Sequence, residues 1–96
     1  MLRLDWAAPA AADFERIQSF YLGVDARVAT LLAQRVHGAI RQLREMPNSG
    51  RPGLRPGTRE RVVAKSPYVL VYRVGVDAIE ILHVYHERQD WTHANE

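Results

Sequence analysis

Residues 47–57, PNSGRPGLRPG, carry three Pro and three Gly in eleven positions. Such a stretch forbids regular structure, because each Pro lacks an amide donor and each Gly loosens the backbone. The hydrophobic period differs on its two sides. Upstream, Val28, Leu31, Leu32, Val36, Ala39, Ile40 and Leu43 recur at helical spacing. Downstream, residues 59–65 (RERVVAK), 69–74 (VLVYRV) and 79–85 (IEILHVY) read as strands, the last two rich in β-branched and aromatic side chains. The chain is thereby divided into a helical part and a sheet part joined by one long loop.

The helical part is preceded by LRLDW, residues 2–6, whose alternation puts Leu2, Leu4 and Trp6 on one face of a short strand and Arg3 and Asp5 on the other. Ala8-Pro9 opens a helix, since Pro is tolerated in a first turn, and Ala10, Phe14, Ile17 and Tyr21 keep its period. Gly23 ends it, and Asp25 is placed to cap a second helix over residues 26–45. Two amphipathic helices joined by so few residues form an antiparallel hairpin. In the sheet part, Ser66-Pro67 and Gly75-Val76-Asp77 are short turns, which predicts an antiparallel meander. The last two strands are apolar on both faces. They are expected to be central, covered by helices on one side and by a partner or loop on the other. The expected order is β-α-α-β-β-β, an α+β fold in which a helical hairpin packs on a small, mainly antiparallel sheet.

A chain of 96 residues predicts a single domain, 1–96, with one core. Its apolar fraction of 47% is that of a folded chain. No run approaches the roughly 20 apolar residues that span a bilayer, so no membrane partner is expected. The early acidic residues of MLRLDWAAPAAADFER leave no signal-peptide core. The absence of cysteine removes disulfides and thiolate zinc sites and fits a cytoplasmic protein. Charge is unevenly placed: residues 1–34 carry three basic and four acidic side chains, residues 35–65 eight and two, and residues 66–96 two and five. The central excess comes from Arg35, Arg41, Arg44, Arg51, Arg55, Arg59, Arg61 and Lys65. A basic field built from Arg more than Lys suits an anionic partner, a nucleic acid or an acidic protein segment.

The densest chemistry lies in EILHVYHERQDW, where His83, His86, Glu87, Arg88 and Asp90 fall within eight residues. Cutting RNA needs a base, an acid and a cation aimed at the phosphate. His83, His86, Glu87 and Arg88, with Tyr85 and with Arg59 or Arg61 from the neighbouring strand, are the residues that would supply them. Strand alternation opposes their convergence, because His83 and Tyr85 share one face and His86 and Arg88 the other. It also sends His83 and His86 apart, so neither a metal nor another cofactor is expected. His83, between Leu82 and Val84, reads as a packed, hydrogen-bonded histidine, and Trp91 as a cap on the sheet edge.

This order of elements, together with GRPGLRPGTRERVV, SPYVLVYRV and IEILHVYHERQDW, resembles the RelE/ParE superfamily of toxins from bacterial type II toxin–antitoxin modules. The likeness covers nearly the whole chain. It includes the W-x-x-x-A-x-x-D opening of the first helix, L-R-E-M-P-x-x-G-R-P-G after the second, G-T-R-E before the sheet and the terminal H-x-R-x-D-W. The resemblance implies a growth-arresting toxin of a plasmid-stabilisation or addiction module. A cognate antitoxin would silence it by wrapping an extended C-terminal segment around it, and operator DNA would be met only through that antitoxin. Toxin dimers bridged by antitoxin dimers are the assembly the family suggests.

Two activities occur on this fold. RelE-like members cut messenger RNA in the ribosomal decoding site, whereas ParE-like members bind DNA gyrase and arrest it with DNA cleaved. In the nuclease branch the strand matching 69–74 carries an Arg two residues before the V-Y pair, facing the phosphate. Here that position is Val69. Losing such a ligand removes several kcal/mol of transition-state stabilisation, on the order of 3. The H-E-R-x-D run resembles the terminal strand of ParE-like members instead. The resemblance therefore favours gyrase over the ribosome and its mRNA, with no catalytic set of the chain's own. Contacts with target or antitoxin are expected at Arg41, Arg44, Arg51, Arg55, Arg59, Arg61, His86 and Arg88.

Overall fold

The computed structural model describes residues 2–88. Strand β1 is Arg3–Trp6, followed by helices α1, Ala8–Leu22, and α2, Ala26–Glu45. Pro9 lies in the first turn of α1. Asp25 accepts the Arg27 amide on Oδ1 at 2.9 Å, which makes it the N-cap of α2, worth about 1 kcal/mol. Strands β2 (Arg51–Pro52), β3 (Arg59–Val62), β4 (Tyr68–Val74) and β5 (Ala78–His86) follow. The sheet order is β1-β5-β4-β3-β2, with β1 parallel to β5 and the other neighbours antiparallel. The two long apolar strands are interior, as their two apolar faces require.

The helical hairpin covers one face of this sheet. Ala10, Ile17, Leu32, Val36, Ala39, Ile40 and Leu43 from the helices share a core with Leu70, Tyr72, Ile79, Ile81 and Val84. Among the described residues no helix lies on the opposite face, where Glu60, Val62, Val69, Val71, Arg73, Glu80, His83 and Tyr85 stand in register, with Glu60, Val69 and Val71 buried.

Three local features depart from simple periodicity. The Pro/Gly stretch is not structureless: Pro47–Ser49 forms one 3-10 turn and Arg51–Pro52 pairs with β3. Pro52 is tolerated because β2 is an edge strand. The turn is held by Tyr72, fully buried, whose hydroxyl donates to the Pro47 carbonyl at 2.8 Å and accepts the Gly50 amide at 2.9 Å. A Cβ at Gly50 would collide with that hydroxyl and lie 2.8 Å from the Glu60 carbonyl oxygen.

The apolar stripe of α2 is also wider than its buried face. Ala29, Leu32, Val36, Ala39, Ile40 and Leu43 are buried, but Val28 and Leu31 remain 42% and 44% exposed. They lie on the outer edge of the stripe, beyond the part that meets the sheet. Finally, β5 carries a bulge. Its register passes from Val71 opposite His83 to Tyr72 opposite Ile81, leaving Leu82 as the extra residue. The bulge reverses the alternation: Ile79, Ile81 and then Val84 face the helices, while His83 and Tyr85 turn to the open face.

Candidate functional site

The end of β5 was the densest cluster in the sequence, and the fold disperses it. His83 lies at the strand edge that β1 leaves uncovered. Its Nδ1 is 3.5 Å from Asp13 Oδ2 of α1, and the same oxygen accepts the Val84 amide at 3.1 Å. His86 sits on the helix face, edge-on to Tyr68 with ring centres 5.5 Å apart. Its Nδ1 accepts the Arg88 amide at 3.1 Å, a bond that requires this nitrogen unprotonated. The Glu87 amide donates to the Pro67 carbonyl at 2.7 Å, while the Glu87 and Arg88 side chains are exposed. Asp90 and Trp91 lie outside the described residues.

Arg59 and Arg61 are on the helix side of β3, opposite Tyr72 and Leu70. Arg59 donates to the carbonyls of Asn48 and Gly50 at 3.2 and 2.9 Å, and Arg61 to Gln42 Oε1 of α2. Arg44 donates to the Leu2 carbonyl at 2.8 Å. These three guanidiniums tie loop, helix and β1 together. Arg41 and Arg55 are exposed. The six candidate nuclease residues therefore do not converge. Among the described residues no group of three His, Asp or Glu side chains is placed to hold a metal ion.

On the open face the structure assembles a cluster around a residue that the sequence reading had not selected. Glu60 is 6% exposed, and its Oε1 accepts Nε and Nη2 of Arg51 at 3.2 and 2.9 Å and the Tyr85 hydroxyl at 3.1 Å. Burial, then the bond to Glu60, raises the Tyr85 hydroxyl above the usual tyrosine value. The hydrogen bond to Glu60 raises the Arg51 guanidinium. Among the described residues Arg73 and Arg3 on this face are paired too, Arg73 with Glu80 at 2.6 Å, and Arg3 with Asp5 at 3.1 Å and Asp77 at 3.6 Å. Val69, opposite Tyr85, is 2% exposed.

On the helix side, Tyr68 separates two clefts. One, of about 410 Å³, is lined by Arg16, Ile17, Phe20, Tyr68 and His86. The other, of about 100 Å³, lies between α2 and the β3–β4 turn, with Val28, Leu31 and Leu32 on one wall and Arg35, Lys65 and Pro67 around it. The hydroxyls of Tyr21 and Tyr68 are 3.3 Å apart at their junction. Burial, helped by that bond, pushes Tyr68 up to about 12, so it is a neutral phenol at physiological pH. Phe20, Leu22, Val24, Val28 and Leu31 form the exposed apolar rim of this region.

Residues 4–91 match the family model described as the ParE toxin of the type II toxin–antitoxin system parDE. The chain belongs to the ParE toxin family. Among its relatives is Y4kP of Sinorhizobium fredii, named as a candidate toxin, with 37% identity over 89 residues, or 93% of this chain and 92% of Y4kP. The chromosomal ParDE toxin–antitoxin system of P. aeruginosa superposes with a TM-score of 0.79 at 28% identity, over 90% of this chain and 96% of that one. The RelBE2 toxin–antitoxin complex of Mycobacterium tuberculosis shares the fold, with a TM-score of 0.58 at 21% identity over 88% and 96% of the two chains. The ParE toxin described here is thus a toxin of a type II system, with two helices on a five-stranded mixed sheet.

Glu60 and Asp13 stand in the sequence only as the last letters of G-T-R-E and W-x-x-x-A-x-x-D, with no site role attached. Glu60 alternates with Arg59 and Arg61 in RERV, the one acidic position in a basic strand, which marks it as a partnered carboxylate. For Asp13 no neighbour in sequence discloses the partner, because the amide it accepts, that of Val84, is 71 positions away.

Proposed function

We propose that this ParE-family toxin arrests growth in the cytoplasm by inhibiting DNA gyrase, and that a cognate antitoxin neutralises it. The observation that carries the choice of target is the charge arrangement of the open sheet face. Asp5, Glu60, Asp77 and Glu80 neutralise Arg3, Arg51 and Arg73, and Val69 occupies the position at which RelE-like nucleases carry a phosphate-facing Arg. A phosphodiester brought to this face meets four carboxylates and three guanidiniums, so its attraction to the cations is cancelled at short range. Self-neutralised, hydrogen-bonded polar surface with Tyr and Arg at its centre instead suits protein recognition. A gyrase inhibitor that lacks nuclease chemistry needs only such a surface.

The antitoxin half rests on the apolar rim. Five large apolar side chains exposed between residues 20 and 31 are more than a monomer's surface usually leaves together. The two clefts beside them receive side chains, and Arg16, Arg35 and Lys65 around them favour an acidic, amphipathic segment. Operator DNA is reached through that antitoxin.

The reading is tested by expressing the toxin in bacterial cells and following DNA and protein synthesis separately. Arrest of DNA synthesis with filamentous cells and DNA-damage signalling is the expected outcome. Immediate arrest of protein synthesis with replication continuing points to the ribosome and sinks the gyrase reading.

A further inference from the structure

Lys65 is the one non-glycine among the described residues with a positive φ, +59°. A side chain in this left-handed region is disfavoured, and such a conformation persists where its surroundings impose it. Here they do. The Val63 amide donates to the Tyr68 carbonyl at 2.9 Å, and the Ser66 hydroxyl bridges the Val63 carbonyl and the Tyr68 amide at 3.1 Å each. Arg35 of α2 donates Nη1 to the Lys65 carbonyl at 2.6 Å. Nothing in these bonds requires a lysine. All use backbone or neighbouring side chains, and glycine or asparagine satisfies the same turn without strain.

What lysine adds is a cation at the mouth of the smaller cleft. That cleft, about 100 Å³, has an apolar wall of Val28, Leu31 and Leu32, a floor of tyrosine rings and no acidic lining residue. Its size fits one branched aliphatic side chain. Lys65 is exposed and Arg35 half-buried beside it, so both charges border the opening.

We infer that Lys65 is a specificity-determining residue for the antitoxin: an aliphatic antitoxin side chain fills this cleft, and a carboxylate next to it in that segment pairs with the Lys65 ammonium. The inference rests on the antitoxin reading above and adds to it a reading residue and a two-part signature, apolar then acidic. The turn fixes the Lys65 backbone beside the cleft before the partner arrives, and Arg35 holds the turn by its carbonyl.

The test compares wild type with Lys65→Gly and Lys65→Arg, using as probe the purified antitoxin encoded beside the toxin gene. Binding is measured at low and high salt, and thermal unfolding of each free toxin is recorded. Lys65→Gly should unfold at or above the wild-type temperature, since glycine accepts positive φ. It should bind roughly tenfold more weakly at low salt, mainly through slower association, and with a flatter salt dependence. Lys65→Arg should bind close to wild type. Unchanged affinity and salt dependence in Lys65→Gly overturns the inference, as does an equal loss in Lys65→Arg. If the wild-type toxin itself fails to bind this antitoxin, the antitoxin reading falls and takes the inference with it, an outcome distinct from a selective null at position 65.

Discussion

Replacing Arg51 by alanine tests whether the open face is built around a buried carboxylate. Glu60 is 6% exposed and its Oε1 receives three donors, two of them from Arg51 at 3.2 and 2.9 Å and the third from Tyr85 at 3.1 Å. Arg51→Ala leaves that carboxylate with the phenol alone. Stranding a fully buried charge costs about 3–5 kcal/mol. The Arg51 side chain, however, is 59% exposed, so water screens the pair and partly replaces the guanidinium, which lowers the expected loss to about 1.5–2.5 kcal/mol. For a chain of this size that is a fall in Tm of roughly 6–15 °C. Glu60→Gln should cost less, about 1 kcal/mol, because Arg51 then returns to solvent and the amide still accepts the Tyr85 hydroxyl. Urea unfolding of the two single variants and the double variant closes a cycle, with a coupling of about 1 kcal/mol or more expected. The reasoning is refuted if Arg51→Ala stays within about 0.5 kcal/mol of wild type, the range of an ordinary surface change, or if Glu60→Gln proves the more damaging of the two.

Two further outcomes follow from buried tyrosines. Tyr72→Phe removes the acceptor of the Gly50 amide and the donor to the Pro47 carbonyl, and should cost about 1.5–3 kcal/mol by equilibrium unfolding, with faster amide exchange across residues 47–52. Tyr68 keeps its proton up to about 12 when folded, against about 10 when unfolded. The folded state therefore binds more protons between these values, and stability should fall as pH rises through that window, by up to about 1.4 kcal/mol per pH unit. Tyr85, raised in the same direction, adds to the loss. Tyr68→Phe should flatten the fall, as read from unfolding midpoints across the window; an unchanged slope contradicts the assignment.

The helical hairpin was legible because its signals are local. Asp25 caps within two residues, Pro9 starts a turn, and the stripe from Leu32 to Leu43 has one period. Three strands after the loop were legible as runs, though β3 stops at Val62 rather than residue 65, and their antiparallel order followed from short turns; the parallel place of β1 beside β5 did not. What escaped depends on contacts distant in sequence. The pairing of Arg51 with Glu60 needs a two-residue strand inside a Pro/Gly stretch, which no periodicity reveals. The Leu82 bulge changes which side chains face the helices without any Gly or Pro to announce it. Alternation within HVYH still separated His83 from His86, so the dispersal of the apparent catalytic cluster was readable even though the bulge was not. The arginines show the limit of composition: their excess was plain, but Arg35, Arg44 and Arg59 each donate to backbone carbonyls, a use that only the fold discloses.

The proposed function is that of a surface that blocks an enzyme without cutting a nucleic acid. Its most direct measurement is a supercoiling reaction with purified gyrase, ATP and closed circular DNA, run with the toxin alone and with toxin pre-mixed with its antitoxin. Protein-linked, cleaved DNA should accumulate with toxin concentration, disappear when the antitoxin is present, and fall when the gyrase comes from a toxin-resistant host. Normal supercoiling in the presence of saturating, folded toxin, together with cleavage of messenger RNA on purified ribosomes, would contradict it.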